Sequence, residues 1–248
     1  LAARLTRTPF VIHEQNAQPG WANRCGAFLT DHIALSYPIS SGRMAHGVIT
    51  GLPLRTDVIT ALEDATTSWS ATRREAKQQL CARYKLDSHR PLIFIFGGSQ
   101  GSLALNTVIE KSLNTFGNCS VIHGVGRNNH RSEPSSHYIA LDYIDDMAAH
   151  YLAADVVIAR SGAVTCAEVA ALGKYALFIP LPIGNGEQAK NAQSLVQSGR
   201  AEIVEQSRFT SDWIASNIDR LISVSETKSD KGSSENIGAA LRISEMIE

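Results

Sequence analysis

From Pro91 onward the 248-residue chain alternates short apolar runs with longer helix-forming stretches, and that rhythm leaves few folds open. Leu92–Phe96, Ser120–His123, Tyr138–Leu141, Val156–Ala159, Ala176–Ile179 and Glu202–Val204 read as strands. Leu103–Leu113, Met147–Ala153, the stretch around Thr165–Leu172, Glu187–Ser198 and Asp212–Val224 read as helices. Apolar runs without alternation belong to strands buried on both faces. Strands that alternate with helices predict an α/β fold, a parallel sheet covered on both sides.

The first ninety residues are less regular. Phe10–His13, Ile33–Ser36 and Val48–Thr50 read as short strands, and Trp21–Leu29 as a helix. Ser68–Tyr84 reads as a charged helix with Arg73, Arg74, Glu75 and Lys77 on its wet face. Gly51-Leu52-Pro53-Leu54-Arg55 breaks the pattern and reads as an interdomain crossing. Lys228–Ser234 is a polar linker and Ile237–Ile247 a closing helix. This organisation predicts an N-terminal unit over 1–51, a main lobe over 52–230, and a C-terminal helix within 231–248 that packs back on the first unit.

Hydrophobic residues make up 44% of the chain and charged ones 19%, with a formal net charge of -1. That balance gives no electrostatic footprint for nucleic acid. No apolar run reaches the roughly 18–20 residues that span a bilayer. The apolar block Pro9–Ile12 is too short for a secretory signal. Four dispersed cysteines, Cys25, Cys81, Cys119 and Cys166, read as reduced, partly buried thiols of a cytosolic protein. Position 1 is Leu, which suggests a fragment, a processed product or a non-standard start.

In a doubly wound sheet, ligands sit beyond the carboxyl ends of the strands. Gly97–Ser102, Tyr143–Asp146, Arg160–Glu168 and Pro182–Gln188 follow strands in this way. Ser161-Gly162 before an Ala-rich stretch reads as a helix start whose unpaired N–H groups suit a phosphate. Thr165-Cys166-Ala167-Glu168 also fits a capping box. If the helix begins near Ala163, however, Glu168 lies past the cap, points outward and can accept from sugar hydroxyls. In Gly97-Gly98-Ser99-Gln100-Gly101 the glycines allow close backbone approach to a phosphate and Ser99 can donate to it. The plainer alternative is a turn in which Ser99 or Ser102 caps the helix. Asp145 and Asp146 read as helix caps first and a metal pair second. His13-Glu14-Gln15-Asn16 ends a strand in four polar residues, which caps something or lines a cleft. Gln188 could bind a sugar, and Asn191 reads as core or cap.

HEQN at His13–Asn16, GLPLR at Gly51–Arg55, GGSQG at Gly97–Gly101, YIDDM at Tyr143–Met147, RSGAVTCAE at Arg160–Glu168 and GNGEQAKNA at Gly184–Ala192 follow one another in order. Together they resemble the MurG family of UDP-N-acetylglucosamine (UDP-GlcNAc) transferases, over roughly His13 to Val204. The resemblance implies two Rossmann-like lobes (the GT-B arrangement) with the N-terminal lobe incomplete here. It also implies inverting transfer of GlcNAc to the C4 hydroxyl of lipid I, undecaprenyl-diphospho-MurNAc-pentapeptide, giving lipid II for peptidoglycan.

Carried over by motif, Ser99 contacts the diphosphate and the Ile144 backbone reads the uracil. Ala163, Val164 and Thr165 supply N–H groups to the phosphates. Glu168 binds the ribose, Gln188 orients the GlcNAc, and Arg55 and Asn16 complete the donor site. No metal and no tightly bound cofactor is implied. Implied partners are UDP-GlcNAc, membrane lipid I, and cell-wall synthesis and division proteins; the implied location is cytoplasmic, peripheral on the inner face of the plasma membrane.

Members of that family normally begin about a hundred residues earlier, with a Gly-rich loop carrying the histidine usually taken as base. That loop is absent from this sequence, and His13 is the imidazole left for the role. Leu52 stands where the family often has Asn. Two alternatives remain: a UDP-GlcNAc-binding half-transferase that needs a separate acceptor-lobe partner, and a dinucleotide-dependent oxidoreductase on the same sheet. The GxGxxG fingerprint that the second would need is absent.

Overall fold

A computed structural model describes residues 2–65, 68–182, 185–229 and 231–247. Two parallel sheets organise the chain. The first has the order β1-β2-β3, from β1 (Ile12–Glu14), β2 (Ile33–Leu35) and β3 (Val48–Ile49). The short helices α1 (Ala2–Leu5) and α2 (Trp21–Gly26) accompany it. Ala27, Ile33, Leu35 and Met44 form its small core.

The crossing at 51–55 leads into α3 (Thr56–Asp64) and α4 (Trp69–Tyr84). The second sheet then forms from β4 (Leu92–Phe96), β5 (Ser120–Gly124), β6 (Tyr138–Leu141), β7 (Val156–Ala159), β8 (Ala176–Phe178) and β9 (Ala201–Ile203). Between these strands run α5 (Leu103–Lys111), α6 (Met147–Ala153), α7 (Ala163–Ala171), α8 (Glu187–Asn191) and α9 (Gln193–Gln197); α10 (Ser211–Lys228) and α11 (Ala239–Glu245) follow. Every pairing in this sheet is parallel, in the order β6-β5-β4-β7-β8-β9. This is the doubly wound order of dinucleotide folds, in which the winding reverses between the two central strands, here β4 and β7. Each strand residue of β4, β5, β7 and β8 is buried, and separate apolar cores fill the two faces. Uniform burial explains why these strands read as apolar runs.

Several expectations need correction. Thr56–Asp64, unassigned from sequence, is a helix; Val58 and Leu62 are buried, and Asp57 accepts the Ala148 N–H from α6. Arg73 and Lys77 do not face water. Arg73 donates to the Leu172 and Gly173 carbonyls, and Lys77 pairs with Asp155 at 2.7 Å, so both tie α4 to the sheet. The expected helix Glu187–Ser198 is two short helices broken at Ala192. The linker reading at Lys228–Ser234 includes Asp230, which lies outside the described residues, and Lys228 still belongs to α10. Cys25 is exposed, whereas Cys81, Cys119 and Cys166 are buried thiols. Leu52 sits in the core of the main sheet. Its N–H donates to Asn236 Oδ1, and Arg242 of α11 donates to the Thr50 carbonyl, so the C-terminal segment touches the crossing.

Lys174 is 2% exposed and donates to the Leu152 carbonyl at the end of α6. Burial, with Arg73 nearby, lowers its pKa to about 7 from an ordinary 10.5. The folded state therefore holds the proton less tightly than the unfolded chain. The stability cost is complete below pH 7 and fades as pH rises toward 10.5. Lys174→Met is expected to stabilise the fold by on the order of 2 kcal/mol below pH 7, with the gain shrinking toward pH 10. Thermal denaturation at pH 6 and pH 10 measures this; an equal gain at both would contradict it.

Candidate donor site at the sheet reversal

Residues from four strand ends meet where the winding reverses. A cavity of about 100 Å³ opens there, lined by Gly98 and Ser99 after β4, Gly124 and Gly126 at the end of β5, Tyr143 and Ile144 after β6, and Val164 and Thr165 at the start of α7. Arg55 and Tyr151 complete its walls. Three of the four loops read from sequence thus share one cavity. Of the fourth, Ile183 and Gly184 lie outside the described residues; none of its described residues lines the cavity, and Gln188 accepts the Leu181 N–H at 3.0 Å, bracing its own loop.

The helix α7 starts at Ala163, with Gly162 at its N-cap and no side chain capping it. The capping-box reading of Thr165 and Glu168 therefore fails, because Thr165 already lies inside the first turn. The N–H groups of Ala163, Val164 and Thr165 point along the axis toward the cavity without an intrahelical partner, as the first turn of any helix requires. They add the positive end of the helix dipole. At the opposite loop Ser102 is the N-cap of α5 and accepts the Leu105 N–H, which leaves the exposed Ser99 for the cavity.

Glu168 departs from the expectation that it points outward. It is 1% exposed and turned into the protein, with Oε2 at 3.4 Å from Arg55 Nη1 and Oε1 in no hydrogen bond. Burial raises its pKa to about 7, against the lowering pull of Arg55 and Tyr151. The cause is packing: α7 is Ala-rich and apolar on nearly every side, so its one acidic side chain is drawn in with it. Four buried side-chain atoms at this reversal make no hydrogen bond: the Tyr151 hydroxyl, Arg160 Nε, Ser161 Oγ and Glu168 Oε1. Buried polar groups are nearly always paired, so such a concentration points to a polar ligand.

Arg160 is itself 7% exposed and bridges the two loops around the reversal. It donates to the Ile179 and Pro180 carbonyls, to Ser102 Oγ at 2.7 Å and to Gln206 Oε1 at 2.6 Å. No carboxylate is among these partners, so its positive charge stays uncompensated close to the proposed anion position.

The N-terminal segment reaches the same region through one buried side chain that sequence reading left as core or cap. Asn191 is 1% exposed; its Oδ1 accepts the Ala17 N–H at 2.8 Å, and its Nδ2 donates to Asn16 Oδ1 and to the Ser161 carbonyl. It thereby joins the HEQN loop to the start of α7, and turning inward to do so it breaks α8 from α9. Glu14, 2% exposed, shapes that loop by accepting from the Asn16 and Gly20 N–H groups and from Asn23 Nδ2. His13 is half-buried, its Nε2 set between Ser36 Oγ at 3.0 Å and the Gly51 carbonyl at 3.2 Å, outside the cavity lining. Burial lowers its pKa. Asp146 is the N-cap of α6, accepting the Ala149 N–H. Among the described residues no cluster of three His, Cys, Asp or Glu side chains could hold a metal ion. Among them, too, no helix is long and apolar enough to cross a membrane.

A doubly wound sheet with an uncapped helix start at its reversal is the architecture of the nucleotide-dependent α/β folds. The chain belongs to glycosyltransferase family 28, whose C-terminal domain matches residues 92–246. It is 39% identical over 226 residues to the UDP-N-acetylglucosamine–N-acetylmuramyl-(pentapeptide) pyrophosphoryl-undecaprenol N-acetylglucosamine transferase of Frankia casuarinae, covering 88% of this chain and 57% of that protein. The corresponding transferase of Thermobifida fusca is 37% identical, with 94% and 62% covered. The chain therefore spans roughly three-fifths of the length of these relatives. The crystal structure of Acinetobacter baumannii MurG superposes with a TM-score of 0.69 at 26% identity, covering 99% of this chain and 68% of that one.

Proposed function

We propose that this chain carries the donor-binding half of an inverting transferase that moves GlcNAc from UDP-GlcNAc to the C4 hydroxyl of lipid I, giving lipid II for the cell wall. The observation that carries the reading is the set of unpaired polar atoms around an uncapped helix start at the sheet reversal. In this reading the diphosphate lies against the Ala163, Val164 and Thr165 N–H groups and Ser99. The uracil lies beside Ile144, the ribose beside Glu168, and the GlcNAc toward Asn16 and Arg55. Residues 1–51 belong to the acceptor lobe, residues 52–230 form the donor lobe, and the segment after 231 returns to the first. A GT-B enzyme of this kind works peripherally on the cytoplasmic face of the plasma membrane, beside other cell-wall synthesis and division proteins.

The chemistry suits these parts. Departure of UDP builds negative charge on the diphosphate. Preorganised N–H donors, the α7 dipole and the buried Arg160 cation stabilise that charge most as the bond breaks. The acceptor hydroxyl also needs a base. His13, whose pKa burial lowers, takes that role in this reading.

Calorimetric titration with UDP-GlcNAc, UDP and NAD tests the assignment. Binding of both uridine nucleotides without NAD is expected; binding of NAD alone would favour the oxidoreductase reading and overturn this one.

A further inference from the structure

His123 lies on β5, is 1% exposed and does not line the donor cavity. Both of its ring nitrogens are nevertheless engaged: Nδ1 lies 3.0 Å from the Tyr138 hydroxyl and Nε2 3.1 Å from Asn106 Oδ1. The far end of this relay fixes the direction of every bond in it. A carbonyl only accepts, so the 2.9 Å contact with the Val125 carbonyl comes from Asn106 Nδ2. That orientation leaves Asn106 Oδ1 facing the imidazole, where it needs a donor. Nε2 therefore carries the proton, and Nδ1 accepts from the Tyr138 hydroxyl, which also lies within hydrogen-bonding reach of Ser132. Burial lowers the imidazole pKa to about 4, so this neutral tautomer holds at pH 7.

The relay ends at a loop that shapes the donor site. The Val125 carbonyl oxygen stands 1.8 Å from where a Cβ on Gly101 would lie, so it is the surface on which the loop after β4 rests. Asn129 fastens the same two loops, its Nδ2 donating to the Gln100 carbonyl at 2.9 Å. Ser99 directly precedes Gln100 and lines the cavity. A tilt of the Val125 peptide would therefore move the Ser99 hydroxyl, and hydrogen bonds weaken steeply with poor alignment. An apolar side chain at 123 would fill the core without burying further polar groups. A satisfied polar network, with Asn106 8% and Tyr138 2% exposed, instead imposes one geometry. Resting on the donor-site reading above, we infer that His123 is a positioning residue for the diphosphate: acting through Asn106, it fixes the Val125 carbonyl and with it the loop that presents Ser99.

The test is calorimetric titration of UDP against the wild type, His123→Phe, His123→Gln and Asn106→Leu, each at a temperature where circular dichroism shows it folded. Thermal melts accompany the titrations. His123→Phe and Asn106→Leu remove the donor to Val125 or its support, and each is expected to bind UDP about five- to tenfold more weakly. Glutamine can place an N–H near the position of Nε2, so His123→Gln is expected to stay within about twofold of the parent. Nitrogen NMR of the wild-type imidazoles needs no variant to fold; it is expected to show His123 neutral at pH 7 with its proton on Nε2. A proton on Nδ1 would overturn the inference, as would equal losses in His123→Phe and His123→Gln. Lowered melting temperatures with parental UDP affinity in both His123→Phe and Asn106→Leu would make the network structural alone, and the donor-site reading would stand without this inference. If the wild type does not bind UDP, both fall.

Discussion

Gly101→Ala is expected to remove at least about 3 kcal/mol of stability and, in the fraction that folds, most of the affinity for a nucleotide. Gly101 has φ +76, a conformation that costs any other residue roughly 1–3 kcal/mol. A Cβ built there would lie 1.8 Å from the Val125 carbonyl oxygen. That oxygen cannot retreat easily, because Asn106 Nδ2 donates to it at 2.9 Å from inside α5. Overpacking of a fixed site adds a further 1–3 kcal/mol or so. The approach is mutual: Gly126, at φ +90, lies so close to Gln100 and Gly101 that its own Cβ would meet the Gly101 nitrogen at 2.3 Å. The loops after β4 and β5 thus touch backbone to backbone, and both line the cavity. Denaturant midpoints and a UDP titration on the same preparation measure the effect. An unchanged midpoint would mean that this contact does not exist.

Substitution of Glu168 is expected to move stability and binding in opposite directions. Its folded pKa, about 7, stands above the ordinary 4.5, so the folded state binds the proton more tightly than the unfolded chain. Stability is therefore lost as pH rises from about 4.5 to 7 and stays lost above that. Glu168→Gln removes this slope and should gain on the order of 2–3 kcal/mol above pH 7 and almost nothing at pH 4. Truncation to Ala, by contrast, is expected to weaken UDP-GlcNAc by roughly 1–3 kcal/mol, the cost of leaving ribose hydroxyls without a buried acceptor. In the wild type, donor affinity should rise through pH 7 as the carboxylate forms, since a charged acceptor makes the stronger bond. A Glu168→Ala protein that melts normally and binds UDP-GlcNAc as tightly as the parent would remove Glu168 from the site.

Why the main sheet was readable and the rest less so has a physical explanation. Strands buried on both faces must be apolar throughout, and β4 and β7 accordingly lie where their apolar runs stand. The helix α3 hides because Thr56, Val58, Ile59 and Thr60 are β-branched and weak helix formers. Its stability comes from Val58 and Leu62 in the core and from Asp57 on α6, contacts more than eighty residues away in sequence for the last. Ser161-Gly162 announced the start of α7, but nothing local said that Glu168 would turn inward, since that follows from the apolar surroundings of the whole helix. Asn191 was equally silent and became visible only when the HEQN loop arrived beside it. The four polar residues of HEQN did give a usable signal, and Glu14 bears it out by holding the loop together from inside.

The central claim is that a uridine nucleotide sugar lies across the reversal between β4 and β7. A crystal structure of this chain with UDP-GlcNAc addresses it directly. The account requires the diphosphate against the Ala163–Thr165 N–H groups and Ser99, with the ribose beside Glu168. Nucleotide density elsewhere, such as in the groove between α3 and α4, with this cavity empty would contradict it.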